Sequence, residues 1–213
     1  MTRPQNINII SSVETLEDLN GSPKDSTLAK ILPGLEKHSR HFIELSPFAL
    51  LATYSESGTD VSPRGDAPGF VKCLDETTLL VPERPGNRIA DSMRNIIENG
   101  SVGLLFVIPG LNETLRVNGE AYITDHEAYR EQVAHKGKVP KLAIIVDVKE
   151  VYFHCAKAFI RSGLWNPDNQ LNRADFPSLG KILIEQITKQ KADTAAVDGL
   201  DANLTEDSKN NLY

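Results

Sequence analysis

The sequence predicts a mainly β fold with flanking helices, an α+β arrangement in which short antiparallel strands form a small barrel. Strand-like apolar runs recur at regular intervals from residue 48 onward, with turn-forming residues between them. The chain has 213 residues, 40% of them hydrophobic, which is enough to bury one core. The apolar run VGLLFVI is too short to cross a membrane. These observations indicate one globular domain with helical appendages.

Three segments follow one another along the chain. Residues 1–46 are predicted to be an N-terminal helical segment that packs on the barrel, because VETLEDLNG ends at Gly21 and LEKHSRHFIEL has near-helical apolar spacing. Residues 47–165 are predicted to form the barrel itself. Residues 166–213 are predicted to contain a helix around SLGKILIEQITKQK and a tail that is loose or docked to a partner.

The barrel segment contains strands and two interrupting helices. The strand-like runs are FALLATYS, GFVKCLD, TTLLVP, SVGLLFVIP, TLRVNGEAYIT and KLAIIVDVKEVYFHC. The first helix is predicted to begin at Arg88, with Asn87 as its N-cap, and to stop at Asn99-Gly100. The second lies in DHEAYREQVAHKG, with Asp125 as its cap.

Composition excludes several classes of protein. The formal net charge of −6 argues against a general nucleic-acid-binding protein, which would neutralise phosphates with a basic face. The polar N-terminus has no signal-peptide pattern, so we expect a cytoplasmic protein without a membrane segment. Cys73 and Cys155 are far apart and are expected to be buried free thiols. His38 and His41 have no further ligand cluster to join, so no metal site is predicted.

The loop PERPGN carries Arg84 and Arg88 close to the predicted helix start. Cations are unfavourable at a helix N-terminus, whose unpaired N–H groups and dipole are already positive, unless an anion lies among them. A bound phosphate would account for both arginines. Alternatively, both point to solvent or pair with Glu83 and Asp91. The loop is neither a P-loop nor a GxGxxG fingerprint.

A second group of polar residues lies on a predicted strand. Residues alternate between faces in ETLRVNGEA, so Thr114 and Arg116 share one face. Arg64 lies upstream in the Pro/Gly-rich bend VSPRGDAPGF. Our hypothesis is that Arg64, Arg116 and the arginine loop converge on one pocket. For Arg64 and Arg116 taken singly, a solvated strand residue is an equally good interpretation.

Four segments together resemble the pyridoxamine 5′-phosphate oxidase-like superfamily of FMN-binding split barrels, and more narrowly its branch named only as FMN-dependent enzymes. The segments are FALLATYSESGTDVSPRGD, GFVKCLDETTLLVPERPGNRIADSMRNIIENGSVGLLFVIPG, ETLRVNGEA and KAFIRSGLWNP. The resemblance extends from about Leu35 to Trp165. Its most specific parts are SPRGDAPGF, PERPGNR and ETLRVNG, taken in combination.

The resemblance implies a homodimer of six-stranded antiparallel split barrels, with FMN in a cleft at the subunit interface. It implies that Asn87 and Arg88 bind the FMN phosphate, and that Arg161 and Trp165 approach the cofactor from the partner chain. The cofactor-binding residues that follow from the resemblance, with close neighbours included, are Arg64, Arg84, Asn87, Arg88, Thr114, Arg116, Lys157, Arg161, Ser162 and Trp165.

The activity that the resemblance implies is an FMN-dependent oxidoreductase, with hydride transfer through flavin N5 and an unidentified small-molecule substrate. The Arg-Leu-His-Asp pattern with which the family's namesake handles the pyridoxine ring does not occur in the sequence. Oxidation of pyridoxamine phosphate is therefore not expected, and no catalytic acid or base is assigned. Two alternatives stay open: the barrel binds deazaflavin F420 or haem, or the protein binds flavin without turnover.

Overall fold

The computed structural model describes residues 7–213, so residues 1–6 of the predicted N-terminal segment lie outside it. Within that range the strands are β1 (Phe48–Ser55), β2 (Gly58–Gly65), β3 (Lys72–Cys73), β4 (Thr78–Pro82), β5 (Ser101–Val107), β6 (Thr114–Thr124) and β7 (Ala143–His154). The helices are α1 (Val13–Asn20), α2 (Asp25–Leu28), α3 (Lys37–Leu45), α4 (Asp91–Glu98), α5 (Glu127–Gln132), α6 (Lys157–Ser162), α7 (Leu179–Thr188) and α8 (Thr194–Asn210). No helix in residues 7–213 combines the length and the apolar character that a membrane span requires.

The strands form one antiparallel sheet in the order β2-β1-β5-β6-β7-β4-β3. A mainly β fold with flanking helices is thereby confirmed. The sheet is open, because the outer strands β2 and β3 do not pair with each other within the described residues. It also curves: Arg64 on β2 forms an ion pair with Glu83, the residue after β4, although four strands lie between these two in the sheet.

The resemblance implied six strands, and the described residues contain seven. The added strand is β2, which includes Arg64, so the prediction that Arg64 lies in a bend is wrong. The sequence SPRG concealed the strand because proline lacks a backbone N–H and rarely occurs in a sheet interior. Pro63 is tolerated because β2 is an edge strand, paired only with β1.

The core lies between one face of the sheet and two helices. Its largest fully buried side chains are Phe106, Ile43, Leu51, Leu79, Leu104, Leu115, Ile144, Val71, Val81, Val117 and Val146, while Leu80 belongs to a second, smaller cluster with Val133 and Ala143. Helix α3 contributes Phe42 and Ile43 to this core, and α4 contributes Met93 and Ile96. The sheet therefore holds its residues in fixed positions, since a close-packed interior leaves little room for strand movement.

Helix α4 begins later than the sequence predicts. Its N-cap is Ala90, and Arg88 and Ala90 both have left-handed backbones with φ of 61° and 62°. The Asn87 side chain accepts a hydrogen bond from the N–H of Ile89 at 3.0 Å instead of capping a helix. A left-handed residue interrupts right-handed helical geometry, so the helix starts only at Asp91. Helix α5 likewise has His126 rather than Asp125 as its N-cap.

The tail, predicted from the sequence to be loose or docked to a partner, is mostly helix α8 in the described structure. The N–H of Gly180 on α7 donates to Asp201 Oδ1 of α8 at 2.8 Å. Beyond α8, the hydroxyl of Tyr213 donates to Asp66 Oδ1 at 2.8 Å. These polar contacts hold the tail on α7 and on Asp66. The sequence prediction considered only apolar residues and therefore did not detect them.

Candidate functional site

Two of the predicted arginines lie near the loop after β4, and both are paired with carboxylates. Arg64 donates to Glu83 through Nη1, and its Nε donates to Ser62 Oγ at 3.2 Å. Arg84 donates to Asp66 Oδ2 through Nε at 2.7 Å, and its Nη2 lies 2.7 Å from the same oxygen. The charges of both arginines are therefore balanced within the chain.

Asp66, the carboxylate that pairs with Arg84, has a side chain only 1% exposed. Its Oδ1 accepts from the Tyr213 hydroxyl and from the Ala67 N–H, and the His135 ring stacks on the Tyr213 ring at 4.3 Å. Burial raises the pKa of Asp66, but hydrogen bonds from Tyr213 and Ala67 and the charge of Arg84 lower the pKa below its ordinary value. The acid-paired cluster is the name we give to the following four residues: Arg64, Glu83, Asp66 and Arg84.

Arg88 differs from these two arginines. It is exposed, and no hydrogen bond or ion pair in residues 7–213 involves its side chain. The neighbouring Asn87 uses its Oδ1 on Ile89 and keeps its amide N–H groups unused in the described part of the chain. Both residues therefore retain donors that a ligand can use.

Helix α4 starts at Asp91, three residues after Arg88. No side chain among the described residues caps its first N–H groups. The only acidic residue of its first turn, Asp91, lies 3.6 Å from Arg94. A cation without a carboxylate beside an uncapped helix N-terminus is an arrangement that fits a phosphate group.

Four side chains share one face of β6 and β7. The strand register places Thr114 opposite His154 and Arg116 opposite Tyr152. Arg116 Nη1 donates to the Tyr152 hydroxyl at 2.9 Å, and the rings of Tyr152 and His154 are 5.0 Å apart. The intervening residues of β6 are buried on the opposite face, so the predicted alternation of this strand is confirmed.

Lys30 joins the same face, although sequence reasoning did not single it out. Its Nζ donates to the carbonyl of Phe153 at 3.0 Å and lies 5.5 Å from the centre of the Tyr152 ring. Two backbone hydrogen bonds between Leu32 and Val151 hold this segment on β7. Lys30 and Phe153 are 123 positions apart, and no local pattern signals such a contact.

His154 is the second residue that the sequence did not reveal. Its Nε2 is buried and has no hydrogen-bond partner within residues 7–213. Burial lowers the pKa of His154, and the nearby charges of Arg116 and Lys30 lower it further. The cationic cluster is the name we give to the following four residues: Lys30, Arg116, Tyr152 and His154.

The remaining predicted site residues lie on and after α6. Lys157 begins this helix, and Arg161 and Ser162 end it. Lys157, Arg161 and Ser162 are exposed. Trp165 donates through Nε1 to the carbonyl of Leu111 in its own chain at 2.7 Å. This segment therefore lies against the loop that precedes β6.

The two cysteines differ in exposure. Cys73 is partly buried, and burial raises its pKa to about 11. Cys155 is exposed, so the prediction of two buried thiols is wrong for this residue. A hydrogen bond from the backbone N–H of Lys157 lowers the pKa of Cys155, with further contributions from the charges of Lys157 and Lys30.

The ten predicted site residues thus fall into four groups. They are the acid-paired arginines (Arg64, Arg84), the loop residues (Asn87, Arg88), the sheet-face residues (Thr114, Arg116) and the α6 residues (Lys157, Arg161, Ser162, Trp165). No hydrogen bond or ion pair in the described chain joins one group to another. Arg64 contacts the arginine loop through Glu83, whereas no direct contact in the described residues joins Arg116 to Arg64 or to that loop.

The sequence was compared with models of known protein families. The model of the family described as pyridoxamine 5′-phosphate oxidase matches residues 35–155, which is more than half of the chain. The chain belongs to this family. The family match includes the arginine loop and the β6/β7 face, whereas Lys30 and helices α6 to α8 lie outside it.

Solved structures with similarity to this family member have low sequence identity. A variant of HupZ from Group A Streptococcus is 21% identical with a TM-score of 0.47, and covers 56% of this chain and 98% of that one. General Stress Protein 26 from Bacillus anthracis is 14% identical with a TM-score of 0.41, covering 55% and 93%. An FMN-binding protein from Syntrophomonas wolfei is 14% identical with a TM-score of 0.43, covering 67% and 92%. No curated protein matches the chain.

Proposed function

We propose that the protein is an FMN-dependent oxidoreductase that transfers a hydride between the flavin and a small organic molecule. The observation that carries the proposal is Arg88, a cation with no carboxylate partner in residues 7–213 beside the uncapped N-terminus of α4. Membership of the pyridoxamine 5′-phosphate oxidase family supports the same conclusion. The substrate is unidentified, and the Arg-Leu-His-Asp pattern expected for pyridoxamine phosphate does not occur in the sequence.

The residues present fit the parts of FMN. Arg88, the amide of Asn87 and the first N–H groups of α4 are donors for the phosphate. Thr114 and Arg116 are the strand residues assigned to the flavin side of the site. When bound, FMN supplies hydride transfer through its N5 atom, while the protein supplies binding and orientation. Arg64 and Arg84 act indirectly in this proposal, because their carboxylate partners hold the loop in place.

We also propose a homodimer with FMN at the subunit interface. The sheet face opposite the core carries Phe48, Tyr54 and Val61, whose exposed fractions are 36%, 51% and 62%. Exposed apolar residues grouped on one face are typical of an interaction surface. Light scattering on the FMN-loaded protein should give the mass of two chains. A monomer that is fully loaded with FMN would exclude an interface site.

A visible spectrum of the purified protein tests the cofactor. We expect flavin absorption, and a released cofactor with the mass of FMN. A colourless protein should gain flavin absorption when FMN is added. A haem or deazaflavin spectrum, or failure to take up FMN, would overturn the proposal.

Turnover needs a separate measurement. Anaerobic mixing of the FMN-loaded protein with NADH, NADPH or candidate organic donors should bleach the flavin absorption with at least one donor. Reoxidation by air should restore it. Binding of FMN without reduction by any donor in a broad panel would favour the alternative of a flavin-binding protein without turnover.

A further inference from the structure

The cationic cluster has more hydrogen-bond donors than acceptors. Arg116 uses one of its five donors on Tyr152, and Lys30 uses one of its three on the Phe153 carbonyl. The Tyr152 hydroxyl accepts from Arg116, and it donates no hydrogen bond within residues 7–213, so its own hydrogen is available. The buried Nε2 of His154 is unused as well in the described chain. A ligand with several acceptor atoms would satisfy the unused donors of Arg116, Lys30 and Tyr152 together.

No carboxylate balances the charge of this cluster. No ion pair in residues 7–213 involves Lys30 or Arg116. The acidic residue on the same face of β7, Glu150, accepts a hydrogen bond from Asn118 at 3.1 Å. In a protein with a net charge of −6, unbalanced cations on a partly buried sheet face need a local explanation. An anion between them would relieve their mutual repulsion.

We propose that the cationic cluster is a subsite for the carboxylate or phosphate group of a small anionic ligand. Arg116 and Lys30 supply the charge, Tyr152 supplies a hydrogen bond, and His154, whose Nε2 is buried, is affected by the charges of Arg116 and Lys30. No contact in the described residues joins this cluster to Arg88, while Arg116 is also one of the strand residues proposed for the flavin side of the FMN site. Identifying the ligand as the substrate, which makes the substrate an anionic molecule, rests on the proposed function. Anion binding itself does not.

His154 is the reporter for the test. The groups that face it are Thr114 and Arg116 from β6, Tyr152 from its own strand and Lys30 from the segment before α3. The chain has 5 histidines, and a His154→Gln variant assigns the His154 ring signals in a proton NMR spectrum. FMN-loaded protein is then titrated with sodium phosphate and, separately, with sodium acetate.

We expect phosphate or acetate to shift the His154 signals and to raise its apparent pKa, because a bound anion favours the imidazolium form. A response to acetate indicates a carboxylate ligand, and a response to phosphate alone indicates a phosphate ligand. Absence of any shift at His154 with both anions would overturn the subsite.

Two conservative variants keep the fold while removing donors. Lys30→Met and Tyr152→Phe should each weaken anion binding by about threefold to tenfold. Lys141→Met removes an exposed lysine at the opposite end of β7 and should leave binding unchanged. Equal losses in all three variants, or no loss in the two cluster variants, would contradict the proposal.

Failure of the anion subsite can be distinguished from failure of the proposed FMN function. If the protein does not take up FMN, the same titration on the Arg88→Ala variant measures the subsite without the proposed FMN phosphate site. An anion response without FMN binding would refute the FMN proposal and support the subsite. FMN binding without an anion response would support the FMN proposal and refute the subsite.

Discussion

The acid-paired cluster and the cationic cluster contain the same kind of side chain in opposite electrostatic situations. In the first, Arg64 and Arg84 each contact a carboxylate, and Asp66 is almost completely buried between its partners. In the second, Arg116 and Lys30 lie near a tyrosine and a histidine, with no carboxylate among their contacts in residues 7–213. An arginine contributes to structure in one place and remains available to a ligand in the other.

The comparison shows that counting arginines does not locate an anion site. In a paired guanidinium, a carboxylate of the same chain balances the positive charge and accepts many of its hydrogen bonds. A guanidinium that contacts only neutral groups keeps both. The predictions below test this difference, starting with the largest expected effect.

Removing the carboxylate of Asp66 should have the largest effect. Asp66→Ala leaves Arg84 without its partner and removes the acceptor for Tyr213, so we expect a loss of about 3 kcal/mol in the free energy of unfolding. Urea denaturation measures this loss. The control is Asp198→Ala on the exposed surface of α8, which should change stability little. A loss no larger than that of the control would show that the pairing does not stabilise the fold.

Arg88→Ala tests the arginine that has no carboxylate in the loop and rests on the proposed function. We expect FMN binding to weaken by about tenfold to a hundredfold, because a charge-assisted hydrogen bond contributes roughly 1.5–3 kcal/mol. Riboflavin, which lacks the phosphate, should be affected much less. Parallel fluorescence titrations with both flavins measure this, with Arg94→Ala as a nearby control. Equal losses for the two flavins would mean that Arg88 does not contact the phosphate.

The pH dependence of stability should separate the two clusters. The folded pKa of His154 is lowered, so its contribution to stability is present above its unfolded pKa of about 6.5 and is lost as the pH falls through the folded value. The folded pKa of Asp66 is also lowered, so its contribution is present above about pH 3.9 and is lost below that. Urea denaturation across this range should show His154→Gln removing the upper decline and Asp66→Asn the lower. Unchanged profiles in both variants would contradict the two assignments.

Tyr213→Phe sharpens the comparison by removing a single hydrogen bond to Asp66. We expect a loss of about 1 kcal/mol in the free energy of unfolding, because the ring stays in place on His135. Tyr54→Phe is the matched control, since the Tyr54 ring is half exposed on β1. Equal stabilities of the two variants would indicate that the tail does not contribute through this contact.

Thiol reactivity gives the smallest effect and reports on the cationic cluster. Iodoacetamide near neutral pH should modify the exposed Cys155 before Cys73, whose pKa is raised to about 11 by burial. Lys30→Met should slow the modification of Cys155 slightly, because the charge of Lys30 contributes to lowering its pKa. Mass spectrometry of digested protein over time measures both rates. Faster labelling of Cys73 would contradict the exposure of the two thiols.

The sequence predicted much of the local structure correctly. Gly21 ends α1, and the alternation in β6 buries Leu115 and Val117. These features depend on neighbouring residues, whose spacing and backbone preferences are readable along the chain. The motifs around Arg64, Arg88 and Thr114 also led to the family, because they follow one another in a characteristic order.

What the sequence could not decide depends on residues that are distant along the chain. Pro63 concealed β2, which is tolerated as a strand only because it lies at the sheet edge. The carboxylate that pairs with Arg84 lies 18 positions away at Asp66, and Tyr213 reaches that same carboxylate from the tail.

Composition and motif order determined that this chain is a mainly β protein of the pyridoxamine 5′-phosphate oxidase family with arginines in its loops. Only the tertiary structure decided which of those cations are balanced and which are available. The reason is physical: the charge state and hydrogen bonding of a side chain depend on the groups within a few ångströms of it. For Lys30 and His154, those groups come from segments that folding brings together.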